Sequence, residues 1–96
     1  MKERKFDFGE LRTTKAIDER ENADPLFQSF TTNSFIRHIC GDWGDMCDED
    51  KDLNEDALRN GWRLMSSYTF WSTGEKIWII TEADRSATTI LFPSDY

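Results

Sequence analysis

Eight carboxylates crowd one stretch of this chain: Asp42, Asp45, Asp48, Glu49, Asp50, Asp52, Glu55 and Asp56, answered there only by Lys51. That window carries a charge of −7, equal to the net charge of the whole 96-residue chain. Carboxylates this dense could bind calcium or face a basic partner. The calcium reading puts Asp48, Asp50, Asp52 and Asn54 at loop positions 1, 3, 5 and 7 of an EF-hand. It fails at the sixth and twelfth positions, where Leu53 and Arg59 replace the turn glycine and the bidentate Glu. Zinc-capable types occur as His38, Cys40 and Cys47, but their spacing lacks the tight paired loop of common sites. No metal or other cofactor is expected.

A second cluster, Glu82, Asp84, Arg85 and Ser86, could serve acid–base or phosphodiester chemistry if His38 joined Glu82, Asp84 and Arg85 in one cleft. The commoner source of such a cluster is a hairpin turn, with Asp84 accepting from the backbone two residues on. Ser86 lacks the flanking glycines of a nucleophile elbow. No catalytic residue is assigned on this reading. The small hydrolase or nuclease built on His38, Glu82, Asp84 and Arg85 stands as the alternative.

Trp43 lies between Gly41 and Gly44, so its indole either folds back as a core plug or projects as an anchor, the role aromatics commonly play at interfaces. Direct nucleic-acid binding is disfavoured, because a −7 chain with scattered cations is repelled by phosphate.

The elements that position these residues follow from periodicity. Phe6 and Phe8 alternate with polar residues and predict an N-terminal strand within 5–14, shortened at Gly9. Residues 15–22 predict a short helical turn. Asp24-Pro25 starts a helix carrying Leu26, Phe27 and Phe30. Thr31-Thr32-Asn33-Ser34 favours caps, predicting a second helix from about Asn33 to Gly41. Residues 48–60 predict a helix with Asp48, Glu49 and Asp50 opposing the dipole, a thin buried stripe of Leu53, Ala57 and Leu58, and a stop at Asn60-Gly61.

From Trp62 the period becomes two. Residues 62–71, 76–82 and 87–92 predict a three-stranded antiparallel meander, whose middle strand Ile77-Trp78-Ile79-Ile80 is apolar on both faces. The expected fold is therefore α+β in one domain spanning 1–96. Its three- to four-stranded antiparallel sheet carries two or three helices on one face. No apolar run reaches the roughly 18 residues of a membrane span, the basic N-terminus leads into no apolar stretch, and two cysteines are too few for a stapled secreted domain. A cytoplasmic protein is expected.

The strings RHICGDWGD (37–45) and IWIITEADRSATTILFP (77–93), with residues 50–61 between them, resemble a group of small "plasmid-related" bacterial proteins of mobile elements. The chain departs from that group at Trp71-Ser72 and at Cys47. The resemblance implies a mobile-element context and no particular catalysis.

Together these observations predict a non-enzymatic, acidic protein-interaction module, monomeric or homodimeric. It would dock on a basic surface through Asp42, Trp43, Asp45, Asp48, Glu49, Asp50, Asp52, Glu55 and Asp56. The sharper form of this expectation is nucleic-acid mimicry that occupies the groove of a host defence nuclease of restriction or CRISPR type. Self-association through an apolar sheet face is a third expectation.

Overall fold

The computed structural model describes residues 3–96. The elements run in order β1 (Glu10–Thr13), α1 (Lys15–Ala23), α2 (Pro25–Ile39), α3 (Asp48–Asn60), β2 (Leu64–Thr69), β3 (Lys76–Thr81) and β4 (Ala87–Leu91), followed by a short 3-10 turn at Pro93–Asp95. The class is α+β, as the periodicity predicts, and β2, β3 and β4 form the expected antiparallel meander.

The sheet is mixed rather than wholly antiparallel. Its order is β1-β4-β3-β2, and β1 runs parallel to β4 with Leu11 opposite Thr88. A parallel pair needs a long crossover, and the helices between β1 and the meander supply it. The strand also begins later than the Phe6/Phe8 alternation predicts. Gly9, at φ 64°, presses its backbone onto the β3–β4 turn, where an added Cβ would lie 2.3 Å from Ser86. Only glycine fits there, and the chain enters the sheet after it. The two phenylalanines pack separately, Phe6 against Trp43 and His38, Phe8 against Phe35.

Helix α2 is continuous where a break was expected. The Thr31 and Ser34 side chains are buried, and the Thr31 hydroxyl is bonded to the Gln28 carbonyl and to the Glu21 carboxylate of α1. Its hydroxyl finds partners without ending the helix, so its cap preference does not prevail. Asp24 caps the N-terminus by accepting from the Leu26 amide, as its type and position predict.

Helix α3 has the expected bounds and ends at Gly61 in the left-handed conformation. Its buried stripe differs by one position: Leu53 is 59% exposed, whereas Asn54 is buried with Ala57.

Strand alternation sends Leu64, Ser66 and Tyr68 to the side covered by the helices. There Tyr68, Phe70, Ile77, Ile79 and Ile90 meet Ile17 of α1 and Phe27 of α2. A smaller cluster of Trp43, Ala57 and Leu64, with Phe6, Met46 and Leu58 against it, joins α3 to the β2 margin. On the opposite side Ile80, Ala87 and Leu91 are buried as well, so β3 is covered on both faces. Arg20 fastens α1 to the β2–β3 hairpin. Its Nη2 lies 2.7 Å from Glu75 Oε1, its guanidinium covers the Phe27 ring, and the pairing lowers the Glu75 pKa. Among the described residues no helix is long and apolar enough to cross a membrane.

Candidate interaction surface

The acidic segment has an inner and an outer side, and the inner side is structural. Gly44 runs beside β2: the Trp43 carbonyl accepts from the Ser67 amide at 3.3 Å, and the Asp45 amide donates to the Ser67 carbonyl at 2.7 Å. Gly44, at φ 73°, permits this approach, since a Cβ there would lie 2.0 Å from the Ser67 oxygen. One residue pair along the strand, Asn54 of α3 plays the same part with its side chain. Its Nδ2 donates to the Met65 carbonyl at 2.6 Å, and its Oδ1 accepts from the Met65 amide at 3.2 Å. The carboxamide thus imitates a neighbouring peptide group. The outer rim of β2 is closed by the segment that carries the charge.

Trp43 is part of that closure. The indole is 3% exposed, stacked near Phe6 and edge-on to His38, and its Nε1 donates to Glu55 at 2.7 Å. The projecting-anchor reading of Trp43 is therefore corrected: the ring is a core plug whose surface no partner can reach in this fold.

The eight carboxylates divide accordingly. Asp42 pairs with Arg37 at 2.7 Å, which raises the Arg37 pKa, and it also accepts from the Gly44 amide. Asp45 accepts from the Thr69 hydroxyl, Glu55 from Trp43, and Asp56 pairs with Arg59 one turn on. Asp48, Glu49, Asp50 and Asp52 make no ion pair among the described residues. Asp50 is half-buried, while Asp48, Glu49 and Asp52 are exposed. The outward negative surface is thus Asp48, Glu49 and Asp52, extended by the exposed but bonded Glu55 and by Leu53.

The residues of the alternative cleft do not converge. His38 is fully buried, with Nδ1 2.5 Å from Ser66 Oγ and Nε2 2.9 Å from Thr81 Oγ1. Thr81 Oγ1 in turn lies 2.7 Å from Thr88 Oγ1, which donates to the Phe8 carbonyl at 2.8 Å. That carbonyl can only accept, which directs the protons as far as the ring: Thr88 donates to Phe8, Thr81 to Thr88, and His38 Nε2–H to Thr81. Burial, followed by the positive charge of Arg85, pushes the His38 pKa down to about 3, so the ring is neutral at pH 7 and Nδ1 accepts from Ser66.

Glu82 follows Thr81 on the strand and so lies toward the opposite face of the sheet from His38. Asp84 accepts from the Ser86 amide, the expected turn bond, and its pKa is lowered by the Ser86 side chain and then by that amide. Arg85, at φ 62°, donates to the Trp62, Glu82 and Ala83 carbonyls and to Ala57 at the end of α3. It is a strut between the β3–β4 turn and α3. Among the described residues no group of three or more His, Cys, Asp or Glu could hold a metal ion. Neither Cys40 nor Cys47 forms a disulfide.

Comparison with protein families, with curated proteins and with solved structures finds no match. The geometry therefore carries the functional reading by itself.

Sequence reasoning missed Asn54, the relay through His38 and the carbonyl-binding role of Arg85. Two signals were present. Alternation places Ser66, Thr81 and Thr88 on the helix-covered side, where buried hydroxyls need partners. An asparagine beside Ala57 at helical spacing marks a polar group facing inward.

Proposed function

We propose that this protein is a non-enzymatic, acidic interaction module of a bacterial mobile element, docking on a basic surface of a protein partner through the outward side of α3. One observation supports this reading above the others: Asp48, Glu49 and Asp52 are exposed without an ion pair among the described residues, on a helix held rigidly by its inner side. A flexible acidic tail would lose entropy on docking, whereas this face is ordered beforehand.

Magnitudes narrow the partner. From Asp48 to Asp52 the helix rises about 6 Å, a length in which duplex DNA carries about three to four phosphates. The charge density of the trio is thus close to that of a short piece of duplex. This favours the sharper version of the proposal, in which the face occupies part of a nucleic-acid groove on a host defence nuclease. Three or four carboxylates chiefly speed and orient encounter, so the exposed Leu53 beside them provides the apolar contact.

The test uses the immobilised protein and a bacterial lysate, with wild type compared with a variant carrying Asp48→Lys, Glu49→Lys and Asp52→Lys. The proposal expects a basic nucleic-acid-binding protein to be retained at low salt. It should be released by duplex DNA or by about 1 M salt, where the screening length is about 3 Å, and lost in the variant. Equal retention by the variant, or retention indifferent to DNA, contradicts the proposal.

A further inference from the structure

The opposite rim of the sheet suggests a second surface, independent of α3. At the start of β1 the Glu10 amide donates to the carbonyl of Ser86, just before β4, and just past its end the Thr14 amide donates to the carbonyl of Ile90 in β4. By alternation the peptide groups of Leu11 and Thr13 point away from the sheet. No turn, loop or cap hydrogen bond among the described residues engages them. Leu11 is 46% exposed, and it lines a cavity of about 220 Å³ bounded also by Phe35 of α2 and Ile90 of β4.

The side chains of this rim are complementary to themselves. Glu10 and Arg12 lie on the face opposite Leu11 and, in one chain, pair with each other at 3.2 Å. Two β1 strands can run antiparallel about a two-fold axis through Leu11. In that register the two Leu11 residues exchange both of their outward N–H···O bonds, the closed arrangement of an isologous pair. Glu10 then stands directly opposite the second copy's Arg12, and Arg12 opposite its Glu10. Opposite charges at directly facing positions are favourable, and like charges are not. Sliding the register by two residues would set Arg12 against Arg12. The charge pattern therefore selects one alignment, and each Leu11 side chain would then extend the apolar wall beside the other's cavity.

We propose that β1 is a self-association edge, through which two copies of this chain form a continuous eight-stranded sheet. A contact of four residues is small, so the dimer is weak, with a dissociation constant of roughly 10–1000 µM.

Sedimentation equilibrium over that concentration range tests it on the full chain. Wild type is expected to dimerise. Arg12→Glu places four carboxylates at the joint and should weaken dimerisation about tenfold or more. The exchanged pair, Glu10→Arg with Arg12→Glu, restores opposite charges across the axis and should recover the wild-type constant. Both side chains are solvent-exposed, and the exchanged protein keeps its pair within the chain, so folding is not at stake. A wild type that stays monomeric at about 1 mM, an Arg12→Glu protein that dimerises as wild type does, or an exchange that fails to rescue overturns the proposal. Loss of dimerisation in Arg12→Glu with rescue by the exchange supports it, and the outcome says nothing for or against docking by α3.

Discussion

The two rims of the sheet meet the same physical problem in opposite ways. A terminal strand exposes unpaired peptide groups. At β2 those of Met65 and Ser67 are taken up by the Asn54 carboxamide and by the Trp43–Asp45 backbone. At β1 those of Leu11 and Thr13 have no partner among the described residues, along a strand only four residues long. The difference explains why acidic residues stand where they do. A segment that must close an edge is held from within, and its outer side can carry repelling charges without being displaced.

The largest expected effect concerns the relay between the rims, which runs from Ser66 of β2 through His38 to Thr81, Thr88 and Phe8. The folded-state pKa of His38 lies below the unfolded value of about 6.5. As pH falls through 6.5, the unfolded chain binds a proton that the native chain refuses. Stability is therefore full above that pH and drops by about 1.4 kcal/mol per unit toward pH 3, some 4–5 kcal/mol in all. Urea midpoints between pH 6 and 5, above the titration of most carboxylates, should fall for wild type and stay level for His38→Gln. The slope decides the matter even if the variant is less stable throughout.

Next in size is the closed rim. Trp43→Ala removes the indole between Phe6 and His38 and should cost about 4 kcal/mol. Asn54→Ala leaves the Met65 amide and carbonyl without partners and should cost about 2 kcal/mol. Both are measured by denaturant unfolding. If Asn54→Ala proved neutral, the closure by α3 would be incidental. The open rim gives the smallest effect: Arg12→Glu should change monomer stability by less than about 0.5 kcal/mol, measured at concentrations too dilute for association. A larger cost would mean that β1 is tied into the fold more tightly than its exposure implies.

The sequence made the α3 bounds and the meander readable, because their signals are local. Asp48, Glu49 and Asp50 suit one helix end, Asn60-Gly61 stops the other, and the strands alternate between turn residues. The parallel placement of β1 was not readable, since Phe6 and Phe8 alternate like a strand but serve two different clusters. Nor could the break expected at Thr31–Ser34 be dismissed without knowing that both side chains are buried and that Glu21 of α1 meets Thr31. For the surface, the positions of the eight carboxylates were plain. Their division between paired and open groups depended on Arg37, Thr69 and Trp43, whose approach to Asp42, Asp45 and Glu55 is tertiary.

Amide hydrogen exchange in dilute protein measures the contrast between the rims most directly. The account predicts that Met65 and Ser67 amides exchange only on opening that approaches global unfolding, while Leu11 and Thr13 exchange many times faster. Comparable protection at both rims in a monomer, or faster exchange at Met65 and Ser67, would contradict it.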